Sequence, residues 1–187
     1  MGNRPASQVG AALAFTLALS AGSAQARAVS LEYPVKAAFL YKFAPFVEWP
    51  PRAFESNAAP LTLCIVGFDP FGAALDSAIA GQKVGQHPLV AKRLETIDAR
   101  SGCHIAYIGG SKAQSVSDGL AVLKGSPVLT VTDQAMGSSR GAIHFVVMDN
   151  RVRFHIDDAV AAGNGVTISS KLKRLAVTVR LRRNGKA

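Results

Sequence analysis

Leu61–Gly67 reads LTLCIVG, a short and nearly continuous apolar run. A run of this length and composition is typical of a strand buried on both faces of a parallel sheet. Asp69 follows at a helix N-cap position, Pro70 stands at the first helical position, and Gly81 lies past the predicted helix end. The stretch therefore predicts a buried strand that leads into a helix, which is the repeating unit of a parallel α/β sheet.

The remainder of the chain continues this alternation. The further predicted elements are two strand pieces within Lys83–Leu94, a strand at His104–Ile108, a serine-capped helix at Ser111–Lys124, a strand at Val128–Thr132, a hairpin of Ile143–Met148 and Val152–Ile156 with Asp149-Asn150 as its turn, a short helix from Asp157 to near Gly163, and a final helix from Ser169 or Ser170 toward Val179. The sequence thus predicts an α/β fold: a single-domain three-layer sandwich, with a mostly parallel sheet, helices on both faces and an antiparallel hairpin at the edge.

An aromatic-rich segment precedes the first strand. Val35–Trp49 reads VKAAFLYKFAPFVEW, with apolar residues mainly at three- and four-residue spacings, and Pro45 is expected to kink or break the helix. Its aromatic surface exceeds what one amphipathic stripe needs, so Phe43, Phe46 and Trp49 are candidate contacts for a protein partner or a second copy. Packing in the core is the competing interpretation.

The N-terminal segment has the layout of a secretory signal peptide. Arg4 is the only charged residue before Arg27, Val9–Leu19 is apolar, and small residues lead to Ala26. We expect residues 1–26 to be the signal peptide, with cleavage after Ala26, and residues 27–187 to form the α/β domain. The apolar stretch is short for an uncleaved membrane anchor.

The predicted export decides which oxidation state is expected for the two cysteines. In an oxidising compartment Cys64 and Cys103 are expected to form one disulfide, whereas in a cytosol they would be two unrelated thiols. A catalytic redox pair is not indicated, because the chain has no C-x-x-C motif.

The positive charge is concentrated at the C-terminal end. The formal net charge is +9, and the residues after Ser170 hold seven basic groups and no acidic one. Residues from about 177 to 187 are therefore interpreted as a basic tail, either a solvated end or a weak contact with an anionic membrane surface. Nucleic acid is not an expected partner, because the chain is predicted to be exported and no aromatics are interleaved with these basic residues.

One turn has the character of a small-ligand site. Gly109, Gly110, Ser111 and Lys112 follow a predicted parallel strand and open a predicted helix, where free backbone donors would accept a carboxylate or phosphate. A plain capped turn explains the same residues. The chain shows no Walker lysine, no G-x-S-x-G and no metal-type histidine spacing, so no catalytic residue, metal ligand or cofactor is predicted.

Five segments form a pattern that can be compared with known families. They are VKAAFLYKFAPFVEWP (Val35–Pro50), LCIVGFDPFG (Leu63–Gly72), CHIAYIG (Cys103–Gly109), IHFVVMDNRVRF (Ile143–Phe154) and ISSKLKRLA (Ile168–Ala176). In this order and spacing they resemble the YfiR family of small exported proteins from Gram-negative bacteria. The resemblance ends before the basic tail.

The resemblance implies a regulatory protein and not an enzyme. Such proteins are similar to a periplasmic repressor that holds the sensor domain of an inner-membrane diguanylate cyclase inactive, which lowers cyclic di-GMP and biofilm formation. It further implies a three-layer α/β fold, a homodimer, and a disulfide at Cys64 and Cys103; a second cysteine pair found in some relatives is missing here. The alternative is a periplasmic solute-binding protein that uses the Gly109–Lys112 turn for an anion, although a single domain lacks the usual two-lobed cleft.

Overall fold

The computed structural model describes Gly2 and residues 31–182. The predicted signal peptide, apart from Gly2, and residues 183–187 of the basic tail lie outside the described residues. Within residues 31–182, no helix has the length and apolar character needed to cross a bilayer.

Ten strands and five α-helices follow one another along the described chain. They are α1 (Glu32–Phe43), β1 (Val47–Glu48), β2 (Leu61–Gly67), α2 (Ala73–Ile79), β3 (Lys83–Val84), β4 (His87–Leu94), β5 (Ile105–Gly110), α3 (Val116–Val122), β6 (Leu129–Asp133), β7 (Ile143–Met148), β8 (Arg151–Asp157), α4 (Asp158–Gly163), β9 (Thr167–Ile168), α5 (Ser170–Lys173) and β10 (Val179–Arg180). Single 3₁₀ turns lie at Ala44–Phe46, Pro51–Ala53 and Gln134–Met136.

Eight strands form one sheet in the order β10-β8-β7-β6-β5-β2-β4-β3. The strands from β4 through β2, β5 and β6 to β7 are parallel, whereas β8 pairs with β7 antiparallel and β3 pairs with β4 antiparallel. The small strands β1 and β9 form a separate antiparallel pair. The predicted α/β sandwich with a mostly parallel sheet is confirmed, and β2 and β7 have the predicted bounds.

The two faces of the sheet are covered unequally. The larger core cluster holds buried residues of α1, α2, α4 and α5 together with one face of the sheet. The smaller cluster lies on the other face, where α3 covers β2 and β5. Side chains alternate across a strand, so Phe145 and Phe154, which contact Phe39 and Phe43 of α1, lie on the face opposite His144 and His155.

The first helix ends where proline requires it. The α-helix stops at Phe43, and the segment around Pro45 continues as a 3₁₀ turn before β1. The predicted break is confirmed, but the residues after it are a turn and a short strand and no longer a helix.

Two helices begin later than predicted. α3 begins at Val116, with Ser115 as its cap, and not at Ser111. α2 begins at Ala73, because Asp69 caps a tight turn by accepting the N–H groups of Phe71 and Gly72.

The last helix is also shorter than predicted. α5 is capped by Ser169 and ends at Lys173, and the chain then forms β10, which pairs parallel with β8. The predicted edge hairpin exists, but β10 lies outside it and forms the edge of the sheet.

Candidate functional sites

A disulfide joins Cys64 of β2 to Cys103, which precedes β5. The two Cα atoms are 5.8 Å apart, within the usual range for a disulfide, and both residues are buried beside α3. The predicted pairing is confirmed. The bridge closes a sequence separation of 39 residues and fixes the start of β5 beside its neighbour in the sheet.

The three aromatic residues predicted as partner contacts occupy different environments. Phe43 is 1 % exposed and stacks against Phe145 in the core, so it has no surface to offer a partner in this conformation. Phe46 and Trp49 are partly buried and pack at the margin of the same core. The indole N–H of Trp49 donates to the backbone oxygen of His104 at 3.1 Å, which ties the end of this segment to the sheet.

Next to Trp49, Phe54 lies between two histidine rings. Its ring centroid is 4.0 Å from that of His87 and 4.3 Å from that of His104, and the planes are nearly parallel. Nδ1 of His104 accepts the backbone N–H of Thr62, so its proton is on Nε2, which lies 2.9 Å from the oxygen of Ala53. Burial lowers the pKa of His104, which keeps this imidazole neutral. Sequence reasoning missed this stack, because nothing in the local pattern relates position 54 to positions 87 and 104.

The Gly109–Lys112 turn does not open a helix, as the predicted ligand site required. The backbone N–H of Phe68 donates to Gly110 at 2.8 Å, and a Cβ on Gly109 would lie 2.2 Å from the oxygen of Phe68. The ends of β2 and β5 therefore lie in direct backbone contact. The Ser111 hydroxyl accepts N–H groups from within the turn, while Lys112 is exposed. A ligand site here stays a prediction, and the helix start on which it was based lies further along the chain.

Part of the basic C-terminal end belongs to the fold. Arg180 of β10 pairs with Asp157 at 2.5 Å, and Arg182 lies 3.0 Å from Asp158. Lys173 contacts the second oxygen of Asp158 at 2.8 Å. The three cations thus form ion pairs with the two carboxylates at the start of α4. Arg180 and Arg182 therefore belong to the folded domain and not to a solvated tail.

A cavity of about 430 Å³ lies beside these residues, on the face of the sheet opposite α1. His144 and His155, which are directly opposite each other on β7 and β8, line its floor, and Arg140 and Arg180 contribute cationic side chains. Nδ1 of His144 lies 2.8 Å from the Thr132 hydroxyl. The turn of the predicted hairpin sets this register, but the environment of the two histidines depends on residues far away in the chain. Among the described residues, no group of three or more His, Cys, Asp or Glu side chains is placed to hold a metal ion.

A family model described as YfiR/HmsC-like matches residues 33–177. The chain belongs to this family. A comparison with curated proteins gave no match.

The YfiR-like match extends from the first turn of α1 to just past α5. It includes both cysteines of the disulfide, the aromatic residues Phe46 and Trp49, and the histidines of the cavity. It ends before β10, so Arg180 and Arg182 of this YfiR-like chain lie outside the matched residues.

Proposed function

We propose that this protein is an exported, periplasmic regulator that binds the sensor domain of an inner-membrane diguanylate cyclase and keeps the cyclase inactive. The observation that carries the proposal is the YfiR/HmsC-like match over residues 33–177. Repression lowers cyclic di-GMP and, through it, biofilm formation. The protein acts by contact and not by catalysis.

The disulfide supports the proposed compartment. Protein disulfides persist in oxidising environments such as the periplasm and are rare in a bacterial cytosol. Both sulfurs belong to buried residues and cross-link two neighbouring parts of the sheet. The proposal therefore places the folded, oxidised protein on the same side of the inner membrane as a sensor domain.

Repression by contact requires differential binding. The protein must bind the inactive form of the sensor domain more tightly than the active form, since only that difference shifts the equilibrium between them. Phe46 and Trp49 are our proposed contact residues. They lie at the margin of the core, where a half-buried aromatic side chain can be covered further by a partner.

The experiment for the function is to measure cyclic di-GMP in cells. A clean deletion strain should contain more cyclic di-GMP than its parent, and a complemented strain should return to the parental level. An unchanged level in the deletion strain, under conditions where the parent expresses the protein, would refute repression of a cyclase and leave the family assignment standing.

The contact surface is tested by substitution. Phe46→Ala should weaken binding to the cyclase sensor domain about tenfold or more, with little change in melting temperature, because the side chain is already partly exposed. Trp49→Ala should lower both binding and stability, because the bond to His104 is also lost. Met148→Ala, an exposed apolar residue on the hairpin, is the matched control. Full binding by Phe46→Ala would exclude this residue from the interface.

A further inference from the structure

The cavity lies beside β7, β8 and β10, and Val160 of α4 also lines it. The smaller core cluster lies around α3, β2 and β5, whereas polar side chains of β7, β8 and β10 border an open volume of about 430 Å³. A volume of this size lies within the range of small-molecule sites.

His144 is the buried polar group that faces this volume. The residue is only 3 % exposed. The Thr132 hydroxyl lies 2.8 Å from Nδ1 of His144 and 3.5 Å from the oxygen of Ile143, and it accepts the backbone N–H of Gly141. Nε2 of His144 has no hydrogen-bond partner among residues 31–182. His144 thus places a ring nitrogen at the cavity, where a ligand can form a hydrogen bond with it.

Arg140 brings a positive charge to the same place. Its side chain is exposed at the mouth of the cavity and makes no hydrogen bond or ion pair with the described residues. Burial is the main cause that lowers the pKa of His144 and of His155, and the nearby charge of Arg140 lowers both further. The guanidinium is thus close enough to act on both rings.

The remaining charges at the cavity largely cancel. Arg180 binds Asp157 through both Nε and Nη2, at 2.6 and 2.5 Å, so that pair contributes little net charge. His155 has Nδ1 2.7 Å from the Thr178 hydroxyl. With neutral imidazoles the cavity therefore carries one uncompensated positive charge, from Arg140, and the ring nitrogens of His144 and His155 beside it.

We propose that this cavity binds a small oxyanion, the carboxylate or phosphate group of a small molecule, with Arg140 as the charged anchor and His144 and His155 as hydrogen-bond partners. An oxyanion supplies the negative charge and the acceptor oxygens that these groups lack. A neutral ligand would leave the guanidinium uncompensated. The site shares no residue with the Gly109–Lys112 turn or with Phe46 and Trp49, so it is independent of the proposed contact with a cyclase.

The test is anion binding by the purified, disulfide-bonded protein. Inorganic phosphate and succinate are titrated separately, at constant ionic strength set by chloride, and binding is followed by calorimetry and by the melting temperature. We expect at least one of the two probes to bind and to raise the melting temperature. The probe that binds more tightly distinguishes a phosphate from a carboxylate ligand.

Two single substitutions remove one cation each from an exposed position. Arg140→Ala should weaken anion binding about tenfold or more, because a charge-assisted hydrogen bond is lost. Lys112→Ala is the matched control, since it removes the same charge from the alternative turn, and it should bind as the wild type does. His155→Asn, which keeps a polar group of similar size, should weaken binding to a smaller extent.

Three results would overturn the proposal. The first is that neither probe binds the wild-type protein at concentrations up to about 10 mM. The second is equal weakening by Arg140→Ala and Lys112→Ala, which would indicate a general response to net charge. The third is loss of binding in Lys112→Ala alone, which would place the anion at the Gly109–Lys112 turn.

Discussion

At the scale of single residues, Lys36 is the charged side chain that ties α1 to the sheet. Its Nζ lies 2.5 Å from Oδ2 of Asp133, and both side chains are 0 % exposed. A second carboxylate, that of Glu32, contacts the same Nζ from one turn earlier in the helix. A buried charge is tolerated only when it is paired, so each member of this set depends on the others.

Removing Lys36 should therefore destabilise the protein strongly. Lys36→Met is expected to lower the free energy of unfolding by about 3–5 kcal/mol, since it leaves the Asp133 carboxylate buried and unpaired. Adding Asp133→Asn in the same chain should recover part of the loss, because the unpaired charge is then gone. Urea denaturation of the three proteins measures this coupling. Lys42→Met, on the exposed side of the same helix, is the control and should change little; equal losses at both lysines would refute the argument.

The buried histidines predict a loss of stability in acid. Burial lowers the pKa of His144 to about 4 and also lowers that of His104 below its ordinary value of 6.5. The unfolded chain consequently binds these protons at a higher pH than the folded protein does. Their contribution to stability is complete above about pH 6.5 and is lost as the pH falls toward 4.

Melting temperatures measured from pH 7.5 to pH 4.5 should therefore fall continuously in the wild-type protein. His144→Gln should melt lower than the wild type at pH 7.5, since the bond to Thr132 is disturbed, but its melting temperature should change less with pH. A variant with the full wild-type pH dependence would show that His144 is not one of the groups responsible.

At the scale of the elements, the β7–β8 hairpin is defined by its two-residue turn. Asp149 and Asn150 have φ values of 49° and 56°, the left-handed pair that a tight hairpin turn requires. Asn is tolerated in this conformation, but Gly adopts it without steric cost. Asn150→Gly should raise the free energy of unfolding by about 0.5–1 kcal/mol, measured by urea denaturation. Asn150→Val should lower it, and a gain with valine would contradict the turn assignment.

Local signals predicted the elements better than their ends. Ser111 and Ser115 both carry a helix-cap signature, and the choice between them depends on distant contacts. Gln114 bonds the backbone N–H and C=O of Ile97 with its amide, which holds the preceding residues in a loop. A Cβ on Gly119 would lie 3.1 Å from Ile108, so α3 packs closely on β5 from there. These contacts fix the helix start, and none of them is visible in a local pattern.

β10 was missed for a related reason. A strand of two residues has no periodicity to detect, and its pairing with β8 joins positions more than twenty residues apart. The acidic start of α4 was predicted as a helix cap, but the arginines that pair with it were assigned to a tail. The sequence thus showed that this end of the chain is basic, but it did not show that Arg180 and Arg182 form ion pairs within the fold.

At the scale of the whole molecule, the disulfide is a covalent cross-link between two neighbouring parts of the sheet. It follows from two cysteines and a predicted export signal, whereas the cavity depends on Arg140, Thr178 and Arg180, which only the folded chain brings to the predicted hairpin. Sequence reasoning was therefore sufficient for the fold class, for most strands of the main sheet and for the cross-link. The candidate ligand site required the three-dimensional arrangement.

Removing the disulfide should lower the stability of the whole domain. For a separation of 39 residues the loss of chain-entropy restriction is worth about 4 kcal/mol. Cys64→Ala together with Cys103→Ala should therefore lower the free energy of unfolding by roughly that amount, measured by urea denaturation beside the oxidised wild type. Non-reducing peptide mapping should recover the two cysteines in one linked fragment. Free thiols in the protein isolated from its natural compartment would contradict the bridge.

The same cross-link determines how the molecule would respond to being pulled. Tension applied to the backbone on either side of the bridge passes directly from Cys64 to Cys103, so the intervening residues, which include α2, β3 and β4, carry no load. Fully extended, those residues would add about 130 Å of contour length. The oxidised chain can thus be extended less than the length of its sequence would allow. Any molecular machine that pulls it through a pore as a single strand meets the covalent loop that the disulfide closes.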